Sequence, residues 1–132
     1  RSLQEYDYIR HATPILATDL ADILLRAIDE GLGGVHHVAG AERVNPLQFA
    51  QRLADHFELP WLSVRRADES LDSPAAGFGA GETSLQTKKI RKALCVAMPM
   101  LSEGLTRLRA QHDIGYREQF GPDTPVAVRQ SA

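Results

Sequence analysis

Gly34-Val35-His36-His37-Val38-Ala39-Gly40 is the stretch on which the fold class turns. In an extended chain Val35, His37 and Ala39 point one way, and His36 and Val38 the other. Glycines bound the stretch and apolar residues occupy both faces. It therefore reads as a short strand covered on both sides, as in a parallel sheet. Upstream, Thr18 or Asp19 can cap a helix running to about Glu30, with Leu20, Ile23, Leu24, Ala27 and Ile28 on its apolar face. Gly31, Gly33 and Gly34 stop that helix before the strand. Downstream, Asn45-Pro46-Leu47-Gln48 is a helix start, with Asn45 as cap, Pro46 in the first position and Gln48 able to close a capping box. Phe49, Leu53 and Phe57 then recur at helical spacing up to Leu59-Pro60.

Further out the signals weaken. Leu3–Ile9 alternates faintly and Thr13–Leu16 is a short extended piece, restricted to a sheet edge by Pro14. Trp61–Arg65 alternates as a strand. From Arg66 to Glu82 the chain is loop-like, with Pro74, Gly77, Gly79 and Gly81; a loop of this length is functional or mobile as a rule. Thr87 can cap a helix to about Leu94, and Leu101–Gln111 is a further helix with Leu101, Leu105 and Leu108 on one side. Residues 114–132 show little periodicity and read as a flexible tail after a domain of residues 1–113. The expectation is an α/β chain, α+β in isolation, with short strands and about four helices.

Composition bounds the function. The 132 residues suffice for one domain. Fifteen basic against seventeen acidic residues leave a net charge of −2, with no basic footprint for nucleic acid or an anionic membrane. No apolar run reaches the roughly 20 residues of a membrane span. A single cysteine, Cys95, cannot form an internal disulfide, which fits a cytoplasmic location. The chain begins Arg1-Ser2 and not with Met, and reads as the second half of something longer.

Much catalytic chemistry is missing from the string. No GxGxxG follows a strand, and there is no Walker lysine and no GxSxG. Gly31-Leu32-Gly33-Gly34 follows a helix and precedes a strand, the reverse of a nucleotide loop. His36 and His37, adjacent in a strand, face opposite sides and cannot chelate one ion together, so no metal is expected. His37 reads as a core or inter-element histidine, and Cys95 as a small buried hydrophobe. Lys88, Lys89, Arg91 and Lys92 read as a solvated helix face.

Five segments nonetheless carry a resemblance. Ala12–Ala21, ATPILATDLA, resembles the "TPT…DLA" segment of extended short-chain dehydrogenases/reductases, in the dTDP-4-dehydrorhamnose reductase branch of the NAD-dependent sugar epimerases and dehydratases. Gly34–Gly40 is similar to that family's "G-x-Y/H-H-L-A/S-G" strand, and Asn45–Ala50 to its "S-x-x-E-F-A" helix opening. Glu82–Arg91 resembles "TSLDTSKIR", and Met98–Leu108 the closing "P-x-L-x-E-G-L-x-R-L" helix. The order is unbroken from residue 10 to residue 110.

The resemblance implies the C-terminal, substrate-binding part of an extended Rossmann-type reductase lacking its nucleotide-binding half. The family's glycine loop and Tyr-x-x-x-Lys lie in that other half. The implied chain is therefore not catalytic by itself and binds no cofactor alone, NAD(P) belonging to the parent enzyme. Its implied partners are the parent's nucleotide-binding domain or a second copy, and its implied ligand a sugar nucleotide. Arg10, Thr13, Pro14, Arg66, Glu82 and Thr83 are the implied substrate-binding residues, in the Arg10–Pro14 segment and the Arg66–Thr83 loop. One departure stands out. The family's Arg-Pro before "TSL", which helps hold the diphosphate, is replaced by Gly79 and Ala80. The alternative is a standalone non-catalytic interaction or regulatory module.

Overall fold

The computed structural model describes residues 10–60 and 81–120. These form five helices: α1 (Ala17–Asp29), α2 (Pro46–His56), α3 (Lys88–Leu94), α4 (Leu101–Asp113) and α5 (Tyr116–Phe120). α2 starts as its sequence dictates. The Asn45 side chain accepts from the Gln48 N–H at 2.8 Å, and the Gln48 side chain accepts from the Asn45 N–H at 3.0 Å. α1 begins earlier than its cap residues suggest. Leu16 occupies the cap position without a side-chain bond. Thr18 instead accepts from the Gln111 amide (2.9 Å) and Asp19 pairs with Arg107, so both serve α4. Gly31, at φ 62°, ends α1 in the left-handed region. Two carboxylates serve the N-terminus of α4: Glu103 accepts from the Met100 N–H (2.8 Å) and Glu42 from the Leu101 N–H (2.7 Å). The fifth helix forms where the sequence showed little periodicity.

The expected α/β class is corrected by this architecture. Among the described residues there is no sheet, only two isolated bridges, His11 with Glu82 (parallel) and Ala12 with Val44 (antiparallel). The described chain is mostly helical and is not an α/β Rossmann-like cap. Gly34–Gly40 has the alternation of a strand, but alternation describes side chains, whereas a strand exists only when a second segment supplies its hydrogen bonds. None lies alongside residues 35–39, and Val35 is 74% exposed where cover on both faces was expected. Thr13–Leu16 is likewise unpaired as a strand; pairing falls one or two residues earlier, at His11 and Ala12. The strands read at Leu3–Ile9 and Trp61–Arg65 lie outside the described residues, as do residues 121–132.

Two clusters make the core. In one, Ala12, Val44, Leu101 and Leu105 are buried, with Phe49, Leu53 and Leu108 against them, joining α2 and α4. In the other, Ile23, Ile90 and Met98 are buried, with Ile15, Ala27, Val38 and Val96 among their neighbours, joining α1 and α3. Arg109 ties the first cluster further, donating to the His56 carbonyl (3.0 Å) at the end of α2 while its guanidinium lies 5.5 Å above the Phe57 ring. Two side chains read as core are not. His37 is exposed, and Cys95 is exposed at the left-handed C-cap of α3 with φ 51°.

Candidate functional site

The site is built where three segments distant in sequence meet. Residues 10–13 lie between residues 81–85 on one side and Val44 on the other. The His11 N–H donates to the Gly81 carbonyl (3.0 Å), and the Thr83 N–H donates back to the His11 carbonyl (2.9 Å). Across the other edge, Ala12 and Val44 exchange both bonds, at 3.0 and 2.9 Å. The side chains follow the backbone. Thr83 Oγ1 donates to the His11 carbonyl (2.9 Å), and Thr13 Oγ1 accepts from the Leu85 N–H (3.1 Å). Behind them, the Gly40 N–H donates to the Thr13 carbonyl (3.2 Å), which fixes the turn into Pro14.

Charge at the site is largely paired. Arg43 grips Oε2 of Glu82 with its Nε (2.7 Å) and a terminal nitrogen, while Oε1 accepts from the Ser84 N–H (3.0 Å). The Arg43 hydrogen bonds, and then those from Ser84, hold the Glu82 carboxyl down at about 2, below its usual 4.5. Glu82 is therefore an anion at neutral pH and Arg43 its counter-ion. Arg10 differs. It is half-buried, and its Nη1 is sealed from solvent without a hydrogen-bond partner. The Ser84 hydroxyl, two residues beyond Glu82, is also buried and unpartnered. Buried polar groups find partners in the great majority of cases, so two orphans on adjoining segments mark a place with unspent binding capacity.

Next to Thr13-Pro14 the surface opens into an apolar cavity of about 170 Å³, lined by Pro14, Ile15, Phe49, Met100, Leu105 and Leu108 among others. A space of this size takes a ring-sized apolar group. The arrangement thus offers a cation with a free donor, a buried hydroxyl and an apolar recess: the makings of a binding site.

Of the six residues implied by the resemblance, Arg10, Thr13, Pro14, Glu82 and Thr83 come together here, although about 70 residues separate the two groups in the chain. Arg66 lies outside the described residues, as do Gly79 and Ala80 and most of the Arg66–Glu82 loop. Sequence reasoning missed Arg43, Ser84 and Gly40. Ser84 lies inside the "TSL"-like segment and so had a signal. Arg43 had none, since only the fold brings it to Glu82. Gly31–Gly34 lies at the C-terminal end of α1, where carbonyls and not N–H groups are free, so no dinucleotide phosphate cradle is formed there. Among the described residues no group of three His, Cys, Asp or Glu side chains could hold a metal ion, and no helix is long and apolar enough to cross a membrane. No protein-family model matches the sequence, and no curated protein matches it at a significant level.

Proposed function

We propose that the chain is the substrate-binding portion of an NAD(P)-dependent sugar-nucleotide reductase or epimerase, of the kind the dTDP-4-dehydrorhamnose reductases represent, and that it performs no hydride transfer alone. One observation carries this reading. The Arg10–Pro14 and Glu82–Thr83 segments, picked out by resemblance, lie side by side and enclose two unsatisfied polar groups. Arg10 supplies a cationic donor for an anionic ligand group, and the guanidinium fork suits phosphate oxygens. The Ser84 hydroxyl suits a sugar hydroxyl, and the recess beside Pro14 takes an apolar edge. In this reading the nicotinamide and the proton donor come from a nucleotide-binding domain, and the chain contributes the shape and polarity that orient the sugar. A cytoplasmic location, inferred from cysteine usage, belongs to the same proposal.

The test is calorimetry of the full chain with dTDP-glucose, UDP-glucose and NADH. A sugar nucleotide should give a saturable isotherm and NADH none. Arg10→Gln should weaken the sugar-nucleotide affinity by at least about tenfold, a charge-assisted hydrogen bond being worth about 1.5–3 kcal/mol. Absence of sugar-nucleotide binding, or equal binding by the variant, overturns the assignment. The second reading, a non-catalytic interaction module, is favoured by the apolar side chains that α1 leaves in solvent, Leu24, Leu25 and Ile28.

A further inference from the structure

Residues 35–39 and the neighbouring face of α1 are open together. Exposure alternates along the segment, Val35 and His37 outward, His36 and Val38 half-buried, which is the period of an extended chain. Yet none of the N–H groups from Val35 to Ala39 donates to another group among the described residues. Of their carbonyls only that of Val35 is held, by Lys89 Nζ at 2.7 Å. α1, which leads into this segment, is apolar around much of its circumference. Ile23 and Ala27 are spent on the core, while Leu24, Leu25 and Ile28, on the other side, are 47%, 60% and 72% exposed.

We propose that this face pairs with a second copy of the chain, Val35–Ala39 running antiparallel to Val35–Ala39 across a two-fold axis, with the exposed sides of α1 closing over the pair. Three arguments lead to that occupant. Backbone groups in an open row call for a strand and not for a small ligand. An antiparallel pair of identical strands is self-complementary about a two-fold axis, so the one segment supplies both halves of the interface. The area also suffices. Leu24, Leu25, Ile28 and Val35 together expose roughly 400 Å² of apolar surface, as much as the largest patch on an ordinary monomer. Doubled, and with the backbone and polar rim added, this reaches the ~1,200 Å² at which specific dimers begin. Register then sets Val35 opposite Ala39, His36 opposite Val38 and His37 on the axis opposite its own copy. No charge of the segment is forced against a like charge while the imidazoles are neutral. The pairing stands or falls independently of the sugar-nucleotide reading, because it uses none of the residues at Arg10–Thr13 or Glu82–Ser84.

Light scattering and hydrogen exchange on the intact chain, from micromolar to millimolar concentration, decide the matter. The mass should rise from 14.5 kDa towards twice that value. The peptide covering residues 35–39, unprotected in dilute solution, should gain protection in step with the mass. Ile28→Glu, at a position already in solvent, should leave the helical circular-dichroism signal unchanged and raise the dimer dissociation constant at least about tenfold, as for a central interface residue. A chain that stays monomeric at the highest concentration overturns the proposal. So does a dimer in which residues 35–39 exchange as fast as in the monomer, or one indifferent to Ile28→Glu; either would mean that another surface is in use.

Discussion

A β-carbon at Gly40 would stand 2.0 Å from the carbonyl oxygen of Pro14 and 3.0 Å from its carbonyl carbon. Both are main-chain atoms, so no side chain can swing away to make room. Gly40 is a bare residue because the backbone entering the candidate site passes against it. Gly40→Ala must push the Thr13-Pro14 turn outward and strain the bond from the Gly40 N–H to the Thr13 carbonyl. The expected cost is about 1–3 kcal/mol, as for other overpacked positions, with a matching fall in the thermal midpoint. Sugar-nucleotide affinity should fall with it, since Thr13 and Pro14 shift. Gly33, around which a β-carbon would meet nothing within 4 Å, is the control: Gly33→Ala should leave both measurements nearly unchanged. The sequence gave no warning of this difference between the two glycines. His37 and Cys95 show the same limit. Their residue types are often buried, but their exposure is decided by what packs nearby, which a local window does not contain.

The helices were legible where their signals were local. α2 carries its own start in Asn45, Pro46 and Gln48, and the structure forms the reciprocal cap at 2.8 and 3.0 Å. Asn45→Ala should therefore cost about 1 kcal/mol, read as a lower denaturation midpoint with the native fold retained. An unchanged midpoint would mean that the end of α2 is held by packing alone. α4 was legible from Leu101, Leu105 and Leu108, which lie in or against the first core cluster as their spacing required. In α1 the period was read correctly but not the side that would be covered. Its apolar residues span a broad arc, and packing spends Ile23 while leaving Leu24 and Ile28 outside. Gly34–Gly40 failed for a related reason. A strand is a relation between two segments, and one sequence window holds only one of them. The candidate site was partly legible, because the resemblance named both segments. Their meeting, and the closing of Arg43 on Glu82, depended on the whole chain.

At the scale of the molecule, carboxylates do much of the joining. Glu82 binds Arg43 across 39 positions of sequence. Glu42 binds Arg52 of α2 (2.6 Å) and accepts from the first N–H of α4 (2.7 Å), so one side chain links two helices of the first core cluster. Asp19 receives both arms of Arg107 at 2.7 Å, linking α1 to α4 across 88 positions. The hydrogen bond from Arg52 draws the Glu42 carboxyl below its usual 4.5 despite opposing burial, and Arg43 draws Glu82 down to about 2. In each case the folded protein binds the proton less readily than the unfolded chain. Their contribution is therefore whole above pH 4.5 and fades as the pH falls from there towards 2, because the unfolded chain takes up protons first. Glu82 is well exposed and its pairing is screened by solvent and salt, so Glu42 should dominate the loss. Urea midpoints measured by circular dichroism should be flat from pH 7 to 5 and drop below 4.5. Glu42→Gln should be less stable at pH 7 and should show a shallower acid drop, while Glu82→Gln should keep most of the wild-type slope. A wild-type midpoint independent of pH down to 3 would show that packing, and not these carboxylates, holds α2 against α4.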